Sequence, residues 1–367
     1  GLVTHPAALS VDGRWSANAM RSHPDIDLRV LMGPEHGVFG QAGAGEPVAS
    51  QRHPDWDLPM FSLYGEQRKP TEAMLEQVDV LAVDLQDLGV RCYTYVSTLF
   101  LVLQAAAEFE KRVVVLDRPI PLPCTVDGPS LDPAFASFVA QAPVPMVYGM
   151  TPGEAARLLN RHLPSLDLEV IPMHGYRRTA RRPDGAPPWV PPSPGIRSWN
   201  TAQCYPVTVC CEALPALDYG AGTPLPFEVL GAPWLNPSAV IEDAGTCPGV
   251  HLYPHRYYPA APKAGPAPWP GIRLVVADPA AYRPVHTCVV LLHAVQLVHG
   301  RETLWSAPGT REGFFDKLFG TDRVRRDLQD GRSPDEICSA WQDSHARYLA
   351  DERADSLLYP PDGEGTA

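Results

Sequence analysis

Short apolar runs recur through the first 165 residues with helix-length segments between them: GLVTH, LRVLM, PMFSLYG, VDVLAVDL and RVVVLD. Runs of this length, rich in Val and Leu, read as strands buried on both faces. Strands that alternate with helical segments predict an α/β fold with a mostly parallel sheet and crossover helices. Helices are expected over 71–77, behind Pro70 and Thr71, and over 96–110, where VSTLFLVLQAAAEFE is apolar on more than one face. A third is expected over 152–163, where Thr151 and Glu154 stand at capping-box spacing.

The texture changes near residue 165. One further strand-like run, LEVIPM, precedes YRRTARRPDGAPPWVPPSPG, too dense in proline for regular helix or sheet, so an ordered loop is expected over 182–195. Beyond it come a strand in IRLVVAD, an apolar helix over 287–299, and a final amphipathic helix around SPDEICSAWQDSHARYLADER, capped by Ser333 with Glu336 three residues on. A chain of 367 residues exceeds what one core usually holds. Two domains are therefore expected: 1–165, carrying the parallel sheet, and 166–367, smaller and of α+β type.

Charge narrows the partners. A formal net charge of −12 without any Lys/Arg block argues against nucleic acid or anionic lipid and for a small-molecule substrate. No apolar run is long enough to span a membrane. The opening GLVTH reads as a strand rather than an export signal, so a cytoplasmic protein is expected, with secretion left open because residue 1 is not Met. The eight cysteines include no CxxC pair, which fits buried thiols in a reducing compartment. No His/Asp/Glu cluster has metal-ligand spacing, and P-loop, HExxH, GxGxxG and GxSxG motifs are absent, so neither metal nor cofactor is expected.

Candidate chemistry lies just past the strands. In an open parallel sheet ligands bind beyond the carboxyl ends of the strands, where loops diverge. Here the first strand is followed by Thr4 and His5, the second by GPEHG with Glu35 and His36, the next by Asp84, Gln86, Asp87 and Arg91, and another by Asp117 and Arg118. Gly33, Pro34 and Gly37 fix a tight turn around Glu35, where packing calls for no carboxylate. A carboxyl group in a partly dry crevice has its pKa raised and can protonate a leaving oxygen, while a second carboxylate steadies a developing cation. Glycoside hydrolysis uses two such groups; proton abstraction or elimination would use the same parts.

GPEHGVFG, SLYGEQRKPT, DLQDLGVRCYTYVSTL, VLDRP, DGPSLDPAFASFV, YGMTPGEAARLLN, WVPPSPG, PFEVLGAPW, FDKLFGTDRVRRDL and SAWQDSHARYL closely resemble, in this order, segments of the exo-acting N-acetylmuramidase (NamZ-like) family. The resemblance spans nearly the whole chain. It implies a Rossmann-like first domain, a smaller α+β domain, a cleft between them that cuts terminal N-acetylmuramic acid from peptidoglycan fragments, and Glu35 as the key catalytic residue. Several family positions are replaced. Ile120 stands for the asparagine of LDRPNP, with Pro123 and Cys124 after it, Tyr148 for the histidine of HGMT, and Gly195 for the asparagine of PSPN. EGTNxSEGRGTTxPFE becomes EALPALDYGAGTPLPFE, which keeps Glu212 and Glu228 and offers Asp218 for a glutamate, but loses an asparagine and the arginine suited to a carboxylate.

Three readings follow. The first is a glycosidase acting on an N-acetylmuramic-acid-type terminus. Glu35 serves as general acid, a second carboxylate among Asp84, Asp87 and Asp218 assists, and His5, Gln86, Arg91, Asp117, Arg118, Tyr148 and Glu212 surround the substrate. The second is a tailoring enzyme of natural-product biosynthesis that uses Glu35 and His36 for elimination, ring closure or group transfer on a small polar intermediate, presented by a carrier or small partner protein. The third is a non-catalytic subunit of a complex. Tyr93 and Tyr95 are further candidates for lining the cleft.

Overall fold

The computed structural model describes residues 1–163, 165–179, 189–263 and 265–359. The strands are β1 (Leu2–Thr4), β2 (Leu31–Gly33), β3 (Gln51–Arg52), β4 (Pro59–Ser62), β5 (Val80–Asp84), β6 (Arg112–Leu116), β7 (Asp127–Ser130), β8 (Pro145–Val147), β9 (Leu168–Ile171), β10 (Val229–Gly231), β11 (Val250–Tyr257) and β12 (Trp269–Val276). The helices are α1 (Ser16–Ser22), α2 (Glu72–Leu75), α3 (Tyr95–Glu108), α4 (Pro152–Asn160), α5 (Trp199–Thr208), α6 (Pro237–Ala244), α7 (Pro284–His299), α8 (Glu302–Trp305), α9 (Glu312–Phe319), α10 (Arg323–Asp330), α11 (Pro334–Ser339) and α12 (Gln342–Arg347). None of the described helices is long and apolar enough to cross a membrane.

Seven strands form one sheet in the order β3-β4-β2-β1-β5-β6-β9. All neighbours are parallel except β3, which runs antiparallel to β4 at the edge. The expected α/β class with a mostly parallel sheet is what the chain forms. β1 is central and buried throughout, as its uninterrupted apolar run requires. The boundary expected at residue 165 falls before β9, which pairs with β6 through Val113–Leu168 to Leu116–Ile171. Backbone pairing with β6 holds β9 in the first sheet, so that sheet runs past residue 165.

The capping box at Thr151 forms as expected: Glu154 N–H donates to the Thr151 hydroxyl, and Thr151 N–H to the Glu154 carboxylate. Ser333 and Glu336 repeat it at α11. The last expected helix is broken, however, at Ala340 and Trp341, and resumes as α12 and a wider turn of helix over Tyr348–Arg353. Of the Pro-rich stretch, residues 180–188 lie outside the described residues. Residues 189–195 run irregularly, as expected, with the Trp189 indole donating to the Ile196 carbonyl at 3.0 Å.

A second, three-stranded antiparallel sheet, β10-β12-β11, carries α6 against it. One large cluster of buried side chains runs from Val83 and Val115 in the first sheet through Tyr205, Cys210 and Leu291 to Ile272 and Leu274 in the second. The two sheets therefore share a continuous apolar interior, and the surfaces between them can be held without sliding.

Candidate active site

The turn after β2 sets Glu35. The Pro34 carbonyl accepts Gly37 N–H at 2.9 Å, and His36 inside the turn adopts a left-handed φ of 72°. That conformation costs a residue with a Cβ about 1–2 kcal/mol. His36 is held there by its Nδ1, which donates to the Ala42 carbonyl at 2.9 Å, so in the neutral ring Nε2 is the acceptor. A side chain at Gly33 could not fit, since its Cβ would lie 2.5 Å from Val38 N. The half-buried Glu35 carboxylate accepts Gly45 N–H at 2.8 Å on Oε1 and the Thr94 hydroxyl at 2.7 Å on Oε2. Thr94 stands immediately before α3, which joins two sheet-edge loops through one carboxylate.

Glu35 opens into a cavity of about 880 Å³ lined by both parts of the chain, near the top of the ~300–1,000 Å³ range typical of small-molecule sites. Glu212, at the end of the tight turn Val209–Glu212 that follows α5, lines the same cavity. Burial pushes the Glu212 carboxyl up to about 7, and the nearby charge of Glu35 adds to the shift against the smaller opposing effect of Arg311. Two neighbouring carboxyls resist double ionisation, and burial favours the protonated form of Glu212.

Aromatic rings form part of the lining. Tyr93 meets Tyr205 edge to face at 5.7 Å, Tyr205 meets Phe227 at 4.9 Å, and Phe227 stacks on Tyr219 at 4.9 Å. Phe227 takes a left-handed φ of 62°, and its ring occupies the space beside Gly195, where a Cβ would lie 2.9 Å from Cε2. Tyr64, raised to about 12 by burial and then by the charge and hydrogen bonding of Glu35, stands next to that carboxylate. Five cations line the same space: Arg68, Arg197, Lys263, Arg311 and Lys317. Arg68 lies over the Phe138 ring at 4.6 Å and Arg311 over Phe314 at 4.5 Å.

Of the residues expected at the site, Glu35, His36, Tyr93 and Glu212 line this cavity. The others hold the structure beneath it. Asp84 is fully buried in a two-point ion pair with Arg118, which also donates to the Leu9 carbonyl at 2.9 Å. Arg118 thus pairs with Asp84 and not with Asp117. Asp117 accepts Gly153 N–H at 2.7 Å, the Thr151 hydroxyl at 2.8 Å and the Tyr359 hydroxyl at 2.6 Å. His5 is lowered to about 4, mainly by burial; its Nε2 accepts Gln86 N–H at 2.9 Å and its Nδ1 donates to the Pro192 carbonyl at 3.3 Å. The Gln86 amide donates to the Pro119 carbonyl at 2.6 Å. Arg91, wholly buried, donates to the carbonyls of Pro129, Val144 and Phe319. Tyr95 donates to the Pro192 carbonyl at 2.6 Å.

Asp87 accepts the Tyr148 hydroxyl and Gly89 N–H, while its Oδ1 is buried without a partner. Asp218 accepts the Tyr257 hydroxyl at 2.8 Å and anchors Lys263 at 3.2 Å, while Glu228 is tied to Arg273 and Asn200. Asp84, Asp87 and Asp218 are therefore corrected as candidates for the second carboxylate: strand ends brought the first two, and the family resemblance the third, but hydrogen-bond donors hold all three in the interior. Ile120 and Tyr148 are likewise core residues that line no part of the cavity, so only Gly195 among the three single replacements changes its surface.

Burial pushes Asp87 up to about 6, chiefly by desolvation. Because the folded value exceeds that of the unfolded chain, its contribution to stability is complete below about pH 4 and is lost as pH rises through about 6. Asp87→Asn is therefore expected to flatten the fall in stability between those pH values, read by denaturant melts. An unchanged slope would place the titration elsewhere.

Two carboxyl groups lining one cavity among aromatic rings and cations are the parts that glycoside hydrolysis uses. Models of the N-terminal and C-terminal parts of exo-β-N-acetylmuramidase NamZ match residues 1–200 and 203–359, and the chain belongs to that family. It is 33% identical over 363 residues to the peptidoglycan β-N-acetylmuramidase NamZ of Bacillus subtilis (strain 168), covering 98% of this chain and 86% of the relative. Two crystal structures of DUF1343-family proteins from Bacteroides fragilis NCTC 9343 share the fold. They superpose with TM-scores of 0.89 and 0.74 at 28% and 27% identity, each over 98% of this chain and 94% of the other.

The sequence reading missed Thr94, Arg68, Arg197, Lys263, Arg311 and Lys317. Tyr64 and Arg68 sit in SLYGEQRKPT, Thr94 in DLQDLGVRCYTYVSTL and Lys317 in FDKLFGTDRVRRDL, so motifs marked these four without revealing which way they face.

Proposed function

We propose that this chain is an exo-acting glycoside hydrolase that removes a terminal N-acetylmuramic-acid-type sugar, with Glu212 and Glu35 as its carboxyl pair. The observation that carries the reading is two glutamates lining one cavity, with burial pushing the Glu212 carboxyl up to about 7. Glu212 gives its proton to the glycosidic oxygen as the bond to the anomeric carbon breaks. Glu35, fixed by Gly45 and Thr94, places negative charge against the oxocarbenium-like centre. Water supplies hydroxide to the anomeric carbon and a proton to restore the acid, so atoms and charge balance. The aromatic rings give the sugar an apolar face to lie on, and the surrounding cations favour an acidic sugar. The arginine lost from the EGRGTT segment thus has replacements drawn from other segments.

Release of nitrophenol from para-nitrophenyl N-acetyl-β-muramide by the purified protein tests the activity, and no turnover by folded protein would sink the reading. The acid role has its own signature. On a sugar leaving group, rates should hold up to about pH 7 and fall about tenfold per unit above it, as Glu212 loses its proton. In Glu212→Gln that limb should vanish. Loss should be small on nitrophenolate, which leaves without protonation, and about 10²–10⁴-fold on a sugar leaving group. Equal losses on both would argue that Glu212 is not the acid.

A further inference from the structure

The cavity inverts the charge of the molecule. The chain carries 42 acidic against 30 basic residues, yet among the described residues the cavity lining contains five Lys or Arg side chains and two carboxyls, Glu35 and Glu212. Four of the cations, Arg197, Lys263, Arg311 and Lys317, come from the part of the chain that also carries Glu212. Lys263 is already paired with Asp218. Among the described residues Arg68, Arg197, Arg311 and Lys317 form no ion pair: Arg68 rests on aromatic rings, Arg311 donates to the Glu212 carbonyl at 2.5 Å, and Arg197 has only a 3.5 Å contact to the Pro194 carbonyl.

One muramic-type sugar brings one carboxylate, and one guanidinium satisfies it. Cations that share a cavity repel one another unless anions come between them, and an uncharged ligand would bring none. The cavity also has room for more than a single sugar ring.

We infer that the site takes a glycan fragment with at least two anionic groups. One is on the sugar that is cut off; the other, a carboxylate or phosphate, is on the part that leaves and is held by Arg197 and Lys317. This inference rests on the glycosidase reading and names its substrate class. These two cations are singled out because the remaining three have other attachments. Arg311 touches the Glu212 backbone, Arg68 stands beside Tyr64 and hence Glu35, and Lys263 is anchored in the Asp218 turn. Arg197 and Lys317 are both exposed, so a ligand can reach them.

The test compares kcat/KM on three disaccharides with a terminal N-acetylmuramic acid: one with an unmodified leaving sugar, one with a phosphate ester on it, and one with an acidic peptide attached to it. A preference of tenfold or more for one acidic substrate is expected, carried in KM and weakened by added salt. The acidic substrate that gains identifies the source of the anion. In Arg197→Ala/Lys317→Ala that preference should fall by about tenfold or more. Rescue by Arg197→Lys would show that charge, and not chain packing, is responsible. If all three disaccharides are cleaved with equal kcat/KM, or the double variant keeps the preference, the inference is overturned while the glycosidase reading stands. If para-nitrophenyl N-acetyl-β-muramide and all three disaccharides stay intact, both fail.

Discussion

Glu35→Gln is expected to lower kcat by about 10²–10⁴-fold, equivalent to about 3–5 kcal/mol of transition-state stabilisation, on nitrophenyl and sugar leaving groups alike. The two substrates should suffer equally because Glu35 acts at the anomeric carbon, where the leaving group makes no difference. This sets it apart from Glu212. Binding should change little, since glutamine keeps the shape and still meets the Thr94 hydroxyl, which can turn to accept as well as donate. The fold should also survive. Glu35 is half-buried at a turn whose geometry is set by Gly33, Gly37 and the His36 contact to Ala42, none of which needs its charge. Steady-state kinetics with both substrates, beside a thermal melt, is the measurement. A variant that keeps wild-type kcat would remove Glu35 from the chemistry and leave the cleft a binding site.

The second large effect concerns stability and lies far from the cavity. Glu154 and Arg178 form an ion pair with both side chains fully buried. Glu154 also caps α4 through Thr151 and accepts Leu358 N–H at 2.9 Å, while Arg178 donates to the carbonyls of Tyr359, Pro123 and Gly149. One pair thus fastens the end of α4, the chain after β9 and the C-terminal segment near Tyr359. Arg178→Met leaves the Glu154 charge buried and uncompensated, and should cost about 3–5 kcal/mol. Chemical denaturation should show the loss, with cleavage by a protease appearing first in the segment before Tyr359. Adding Glu154→Leu should recover part of it, because no lone charge then remains inside. A variant within about 0.5 kcal/mol of wild type would show that the pair contributes nothing beyond its own desolvation cost.

Much of this was legible in the chain, for reasons of local physics. Strand placement follows from short apolar runs, and helix starts from side chains that satisfy orphan amides three residues away, as Thr151 and Ser333 do. Glycine and proline around Glu35 forced a turn, and the turn lies where the sheet's carboxyl edge puts ligands. The broken final helix was less legible, because Trp341 is buried and interrupts a run whose sequence alone looks continuous.

Direction of side chains within the loops was settled by distant partners. Asp84, Asp87 and Asp117 leave the same sheet edge as Glu35, yet each finds donors inside: Arg118, Tyr148, and Thr151 with Tyr359. Once paired, a buried carboxylate has no reason to face a cleft. Period and turn chemistry cannot show this, since the partners come from other elements.

By itself, the sequence determined a mostly parallel sheet, the turn that presents Glu35, and the family to which the chain belongs, because each rests on residues close together in the chain or on long motifs in fixed order. That Glu212 and Glu35 line one cavity, that Asp84 and Asp87 do not, and that cations from separate segments line it too were decided by tertiary packing. Those outcomes depend on which surfaces close over one another, and the shared core between the two sheets makes that choice.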